Sequence, residues 1–406
     1  MNFFDNINYS RKNRDNNLQL IITSLLIVFP ILSRYASLIR LINLSEFISI
    51  LLLLYVMLFK FKFIKLDKYF LLLIMYVILQ STLLLSVYPD SISDQLLGTA
   101  LRFVYIYLIL NIFGKNFFNM NVGKKIMVHL TLFLSIYALI QYYLATKGII
   151  LTTYIPGLKI MEGVRELENV DDILVGQMNY GLQFRPRSLL NEPAHLGTYI
   201  VSALTIVLFN NKKLGLINLI YAFIFSLTCM LSRSSTAIII MILIWTAFII
   251  KNIKSRENQD IAWIILIFLL LIVIYSMFKD IKSLNYFMTK TFGKSRSIYE
   301  IANTTRFNQI KESFRDFNGI RDYIFGKGCI RIDYYLPGFF RLIYNFGFLG
   351  FILYLYVLIK STIKDSDLQK IILLIYIIIN IGTEVLYGNF IFIFLPFIIN
   401  DDLNLN

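Results

Sequence analysis

The sequence predicts an all-α, polytopic integral membrane protein of about twelve transmembrane helices (11–12), with two large external loops and both termini cytoplasmic. Three observations predict it. First, 57% of the 406 residues are hydrophobic and only 16% charged, with a mean hydropathy of +0.68, where an ordinary soluble domain is about 45–50% apolar and about 25% charged. Second, the apolar residues fall in continuous Leu/Ile/Phe runs of about 14 to 24, the length that crosses a hydrocarbon core at about 1.5 Å per residue. Third, basic residues alternate from loop to loop. A soluble enzyme, a single-pass receptor and a β-barrel are excluded, the last because no dyad alternation in segments of about ten residues is present. The net charge of +14 is largely accounted for by loop topology, so no nucleic-acid partner is expected. Cys229 and Cys329 are expected as plain thiols, too few for a metal cluster or a disulfide framework.

Taken in order, the first run, 18–33, follows Arg11, Lys12 and Arg14 and lacks a small-x-small cleavage site, so it is read as a membrane helix and not a cleaved signal. The others are 41–59, 69–88, 95–113, 126–146, 193–209, 214–231, 234–250, 261–278, 336–359, 370–386 and 388–400. The last is short, and a re-entrant hairpin is the alternative there. The chain is thereby divided into an N-terminal five-helix membrane region (1–146), a first external loop (147–192), four central helices (193–278), a second external loop (279–335) and C-terminal membrane helices (336–406). Arg11, Lys12, Arg14, Lys60, Lys62, Lys65, Lys68, Lys115, Lys124, Lys125, Lys212, Lys213, Lys251, Lys254, Arg256, Lys360, Lys364 and Lys370 all fall on one side, which marks the cytoplasm. The working face is then external.

Only three of those eighteen are arginine, against thirteen of the remaining 21 basic residues. Lysine marks topology and arginine the outer face. Guanidinium forks bind phosphate and carboxylate bidentately, which points to an anionic ligand. Arg185 and Arg187 precede Glu192-Pro193, where proline suits the first helical position and Glu192 sits near the N-cap. Arg233 stands in Ser232-Arg-Ser-Ser235 before the eighth span, and Arg341 follows Leu336-Pro-Gly338 at the tenth. Arg187, Arg233 and Arg341 are expected to converge with helix N-termini on one phosphate group. Within the spans, Glu46, Arg102, His129 and Glu384 are ionisable, and intramembrane charges are functional candidates by default. Arg102 is expected to form the floor of an outward cavity or to pair with Glu46 or Glu384, and His129 to be structural. Phe307, Ile310, Phe314 and Phe317 recur at helical spacing beside Arg306, Lys311 and Arg315, predicting an amphipathic helix that either lies over the bundle mouth as a lid or packs at the membrane interface. Asp365-Ser-Asp367 has the form used by metal-dependent transferases but lies in a short cytoplasmic loop, and it is read as a solvated loop.

These residues resemble the O-antigen polymerase and ligase superfamily, most nearly its capsular and O-antigen polysaccharide polymerases. The resemblance rests on Phe184-Arg-Pro-Arg-Ser-Leu-Leu-Asn-Glu-Pro-Ala-His-Leu-Gly197, Leu231-Ser-Arg-Ser-Ser-Thr-Ala237, Thr305-Arg306-Phe, Phe325-Gly-Lys-Gly328 and Phe339-Phe-Arg-Leu-Ile-Tyr-Asn-Phe-Gly-Phe-Leu-Gly350, in that order, over about residues 140–360. The histidine of ligase-like members is replaced here by Arg341 or Asn345, which disfavours a ligase. The resemblance implies a metal-independent, cofactor-free glycosyltransferase in the bacterial plasma membrane that joins undecaprenyl-diphosphate-linked saccharide repeat units at the outer face. It implies membrane lipid, a flippase and a chain-length regulator as partners. The diphosphate would be bound by Arg185, Arg187, Arg233, Arg341, Arg102 and Arg306, and Glu192 or His195 would be the base on the acceptor hydroxyl. A lipid-linked oligosaccharide flippase and a membrane acetyltransferase are the competing classes.

Overall fold

In the interior of a bilayer every backbone amide must be satisfied within the chain, so long apolar runs fold as helices and polar residues collect at their ends. The structure, a computed structural model, describes residues 3–39, 42–86, 90–161, 184–210, 215–255, 305–330, 336–361 and 366–400; for 3–15, 90–94, 252–255 and 305–307 it describes the backbone alone. The ninth expected span at 261–278, the greater part of the second external loop, and Asp365 lie outside the described residues.

The described residues form helices α1 (Phe3–Leu32), α2 (Leu44–Phe59), α3 (Lys68–Leu85), α4 (Asp90–Ile109), α5 (Met120–Ala145), α6 (Pro193–Phe209), α7 (Leu216–Ser232), α8 (Ser235–Ser255), α9 (Thr305–Arg315), α10 (Ile320–Phe325), α11 (Gly338–Ser361), α12 (Asp367–Gly382) and α13 (Leu395–Ile399). No strand occurs among them, only the isolated bridges Tyr35 to Ile160 and Ala36 to Asn43. Four helical stretches are long and apolar enough to cross a membrane: Lys68–Leu85, Gln95–Gly114, Met120–Ala145 and Gly338–Ser361. Shorter apolar helices cover Asn16–Leu32, Leu44–Phe59, Pro193–Phe209, Leu216–Ser232 and Ser235–Lys251. Leu72, Met75, Leu79 and Leu83 expose an apolar stripe along α3, the surface a lipid-facing helix presents.

The last expected span, for which a re-entrant hairpin was the alternative, forms no continuous helix. Residues 388–400 are a 3₁₀ turn (Asn389–Ile393) followed by the five residues of α13. Phe390 to Ile399 are all buried, and Pro396 supplies no N–H, so this run is an internal plug and not a lipid-facing helix.

The chain divides into two compact units, Met1–Ser33, Ser45–Gly123 and Tyr299–Asn406 in the first, Arg34–Leu44 and Lys124–Ile298 in the second. In the first, α3 packs on α4 and α11, and α10 and α12 pack on α11. Its centre is aromatic: Phe103 stacks on Tyr107 at 4.3 Å and meets Phe346 at 5.1 Å and Tyr387 at 5.4 Å. A break in α11 organises one end. Gly347 has φ 67° and ψ −176°, a conformation confined to glycine, and a Cβ there would lie 2.2 Å from the Ile324 carbonyl oxygen. The carbonyls released by the break are taken up by a strap: Lys327 N donates to Tyr344 O and Gly328 N to Asn345 O, both at 2.8 Å, and Gln80 Nε2 donates to Phe325 O and Asn345 O. This is the structural role of the Phe325-Gly-Lys-Gly328 motif. The amphipathic helix predicted around 307–317 is α9, and Ile310, Phe314 and Phe317 cluster with Leu336, Phe340 and Tyr344 at the start of α11. Ser366 caps α12 by accepting from Gln369 N at 3.1 Å, so Asp367 of the Asp-Ser-Asp sequence is a first-turn helix residue.

In the second unit, α6 packs on α7 and α8. Every residue from Leu196 to Phe209 is buried, as expected of a helix apolar all round. Gly197 permits the approach to α8, since a Cβ there would lie 2.4 Å from that of Ala237. Thr198, Ser202 and Thr205 each return their hydroxyl proton to the carbonyl four residues earlier, which lets hydroxyls be buried in an apolar helix.

Candidate functional site

Each unit carries one group of arginines. In the second unit the group is built on the segment Phe184–Glu192. Phe184 anchors it by packing with Ala145, Tyr142 and Ile150 at the end of α5. Gln141 then grips the backbone at Ser188, accepting from its N–H at 2.8 Å and donating to its carbonyl at 3.3 Å, while Ser188 adopts φ 55°. Pro193 opens α6 as predicted, with Glu192 as N-cap residue in extended conformation (φ −138°, ψ 150°). The Glu192 side chain makes no capping hydrogen bond and is exposed. It is therefore not spent on the helix end.

Four guanidinium groups surround this segment. Arg34, 5% exposed, donates through Nη1 to Thr153 O at 2.5 Å and Leu189 O at 2.6 Å, tying the segments around these two residues together. Arg187 Nη1 donates to Asn191 O at 3.0 Å. Arg185 donates from Nε to Ser232 O at 3.1 Å and from Nη2 to Arg233 O at 3.0 Å, satisfying carbonyls at the C-terminus of α7. Arg233 occupies the left-handed C-cap of α7 (φ 51°, ψ 33°), and its side chain hydrogen-bonds Tyr142. Burial pulls the guanidinium pKa of Arg34, Arg187 and Arg233 below its ordinary value; Arg187 acts on Arg34, and Arg185 on Arg233, in the same direction. Glu192 opposes this at Arg187. His195, one turn into α6, lies in the field of both Glu192 and Arg34.

In the first unit the group lines a cavity of about 330 Å³ bounded by Gly98, Thr99, Arg102, Phe103, Arg341, Glu384 and Tyr387. Arg102 pairs with Glu46 at 3.2 Å and keeps 53% of its side chain exposed. Arg341, in the first turn of α11, is ion-paired to Glu384 through Nη1, and its guanidinium carbon lies 4.9 Å from the centre of the Tyr387 ring. Arg341 Nε is buried and has no hydrogen-bond partner. Arg102 also acts on Glu384 electrostatically.

Of the residues expected from sequence, Arg185, Arg187, Arg233, Glu192 and His195 are brought together in the second unit, and Arg102 and Arg341 in the first. The two pairings offered for Arg102 both have a counterpart, a contact with Glu46 and a shared cavity with Glu384. Arg306 stands in the first turn of α9, with its side chain outside the described residues. His129 is exposed on α5, its Nδ1 2.7 Å from Lys125 O, which fits a structural role. Both cysteines are free and buried, and burial pushes the Cys329 thiol up to about 12. Among the described residues no three His, Cys, Asp or Glu side chains gather as a metal site requires. Arg34, Gln141 and Tyr387 were not picked out by sequence; the signal for Arg34 was the arginine bias of the outer loops, and for the other two it was absent.

Compared with protein-family models, with curated proteins and with solved structures, the chain matches none of them.

Proposed function

We propose that the protein is a glycosyltransferase that polymerises undecaprenyl-diphosphate-linked oligosaccharide repeat units into a surface polysaccharide, O-antigen or capsule, at the outer face of the bacterial plasma membrane. The observation that carries this reading is the set of guanidinium groups around Phe184–Glu192, Arg34 buried and Arg185, Arg187 and Arg233 half-buried. Arg34, Arg187 and Arg233 are each partly desolvated, Arg34 feels the positive charge of Arg187 and Arg233 that of Arg185, and Glu192 is the carboxylate acting on Arg187. Such a group is stabilised by a bound anion, and a diphosphate supplies the charge and the oxygens to use bidentate forks. In this reading the N-terminus and the lysine-rich loops near 62, 252 and 365 are cytoplasmic, and the arginine-bearing segments face outward.

The chemistry asks for two things. The acceptor hydroxyl oxygen forms a bond to the anomeric carbon of the donor sugar, the bond from that carbon to the lipid diphosphate breaks, and the hydroxyl proton passes to a base. Arginines stabilise the charge on the departing diphosphate without a metal. Glu192, uncommitted to capping and beside Arg187, or His195 on the next turn, takes the proton. A polymerase handles two lipid diphosphates, donor and acceptor, and the two units each hold one arginine group.

The test is incubation of the purified protein in nanodiscs with a synthetic lipid-diphosphate repeat unit. A ladder of longer lipid-linked products is expected. Transbilayer movement without elongation would make the protein a flippase, and elongation only of a different acceptor would make it a ligase.

A further inference from the structure

The cavity of the first unit holds a carboxylate where an anionic ligand would be bound. Arg341 and Arg102 line it together with Glu384, and Glu384 engages Nη1 of Arg341. We propose that Glu384 is a resident counter-anion: it occupies on Arg341 the position of an incoming phosphate group and is displaced from it when that group binds. This rests on the reading of Arg102 and Arg341 as diphosphate-binding residues.

Four features support an exchange over a permanent ion pair. Arg341 Nε is buried without a partner, so the guanidinium edge is only partly used and a phosphate with three oxygens would satisfy more of it than Glu384 does. Tyr387 lies against the guanidinium at 4.9 Å from the ring centre, a contact that holds the arginine in place while its in-plane partner changes. Arg102 is more than half exposed beside the same space and already holds its own carboxylate, Glu46, at 3.2 Å, so Glu384 need not serve it as an ion-pair partner. Finally, Glu384 stands past the last residue of α12 (Asp367–Gly382), in the connection to the 3₁₀ turn at Asn389, where a side chain can swing without unwinding a helix. While Glu384 is in place it neutralises Arg341 within the cavity; once displaced, it leaves that guanidinium for the ligand, beside the half-exposed Arg102.

The experiment is a calorimetric titration of the full chain in nanodiscs with inorganic pyrophosphate. Glu384→Gln, which keeps the shape and removes the charge, is expected to bind pyrophosphate about tenfold more tightly than the wild type, or about 1.4 kcal/mol. The additional Arg341→Ala substitution should abolish that gain. Glu384→Ala should also bind more tightly, and added formate, filling the vacated carboxylate position, should bring its affinity back toward wild type. Masking of the buried thiols Cys229 and Cys329 toward a maleimide dye reports that each variant is folded; if Gln and Ala both fail that check, Glu384→Asp, with a shorter grip on Arg341, is expected to tighten binding by a few fold. Unchanged or weaker pyrophosphate binding in the folded variants overturns the proposal. If the wild type nevertheless forms the polymer ladder, the counter-anion role fails alone; absence of both ladder and pyrophosphate binding removes both readings.

Discussion

Replacing Arg34 by methionine tests whether the outer segment is held by one buried side chain. Arg34 is 5% exposed and donates from a single nitrogen to two carbonyl oxygens, Thr153 O and Leu189 O, which belong to segments far apart in the chain. Hydrogen bonds from a charged donor contribute about 1.5–3 kcal/mol each, and truncation leaves both carbonyls without this donor. Against this stands the relief of removing a desolvated guanidinium whose like-charged neighbour is Arg187. The balance is a loss of about 3 kcal/mol, which corresponds to a fall in unfolding temperature of roughly 6–12 °C. The assay is the unmasking of Cys229, a buried thiol of the same unit, by a maleimide dye on heating in a Cys329→Ser background. Arg34→Lys, which offers a point charge without the fork, should fall between methionine and wild type. Because Leu189 lies two residues from Arg187 and three from Glu192, polymerisation should fall in the methionine variant even below its unfolding temperature. An Arg34→Met protein that unmasks Cys229 within about 2 °C of the wild type would refute the reasoning, since the paired carbonyls would then be worth less than the ordinary range allows.

Gly347→Ala should cost more than about 3 kcal/mol and deplete the protein from membranes in a quantitative blot, because both the φ of 67° and the Ile324 carbonyl exclude a Cβ. Gly98→Ala is the contrast: a Cβ there meets nothing within 4 Å, and a helical glycine replaced by alanine should gain about 0.5–1 kcal/mol when unmasking of Cys329, the buried thiol of its own unit, is followed in a Cys229→Ser background. Arg233→Gly relieves a left-handed residue (φ 51°) and should match or exceed wild-type stability while losing polymer, whereas Arg233→Ala should lose both. For the base, Glu192→Gln should retain binding of the lipid-linked substrate and lose turnover, and His195→Gln should do the same only if the imidazole takes the proton; full polymerisation by both would leave leaving-group stabilisation by arginine as the sole catalysis.

Helix positions were legible because lipid leaves the backbone no alternative: the run at 193–209 is α6 to the residue, with Pro193 at its start, and 214–231 and 234–250 agree with α7 and α8 at their N-terminal ends within two residues. The run at 388–400 misled for the same reason that the others succeeded. Phe390 to Ile399 are as apolar as a lipid-facing helix, but they are apolar because protein surrounds them, and composition does not distinguish the two solvents. Within the site, the outer arginines could be found from the contrast between arginine and lysine across loops, yet their partners could not. Arg185 reads in sequence like Arg187; in the structure its two donors serve Ser232 O and Arg233 O, some fifty residues away in the chain, a helix-end role that only tertiary folding assigns. The proposed diphosphate site is accordingly carried by Arg34, Arg187 and Arg233, with Arg185 holding the end of α7 on which Arg233 sits.

The two arginine groups differ in how their charge is balanced, and that difference bears on what each can do. Around Arg102 and Arg341 the counter-charges are carboxylates, Glu46 and Glu384, the second of which is the proposed exchanging anion. Arg34, Arg185 and Arg187 donate hydrogen bonds to the backbone carbonyls of Thr153, Leu189, Ser232, Arg233 and Asn191. Carbonyl dipoles fix a guanidinium in direction without cancelling its charge, so that group remains a net positive field with a set geometry. In the proposed reading a diphosphate entering there meets little competition and would be held, whereas one entering the first unit would have to displace a carboxylate and would be released as that carboxylate returns. Under the proposed polymerase reading, a product that becomes the substrate of the next cycle calls for one firm anion site and one that exchanges, and the division of carbonyl-set and carboxylate-set arginines between the units is what that reading would use.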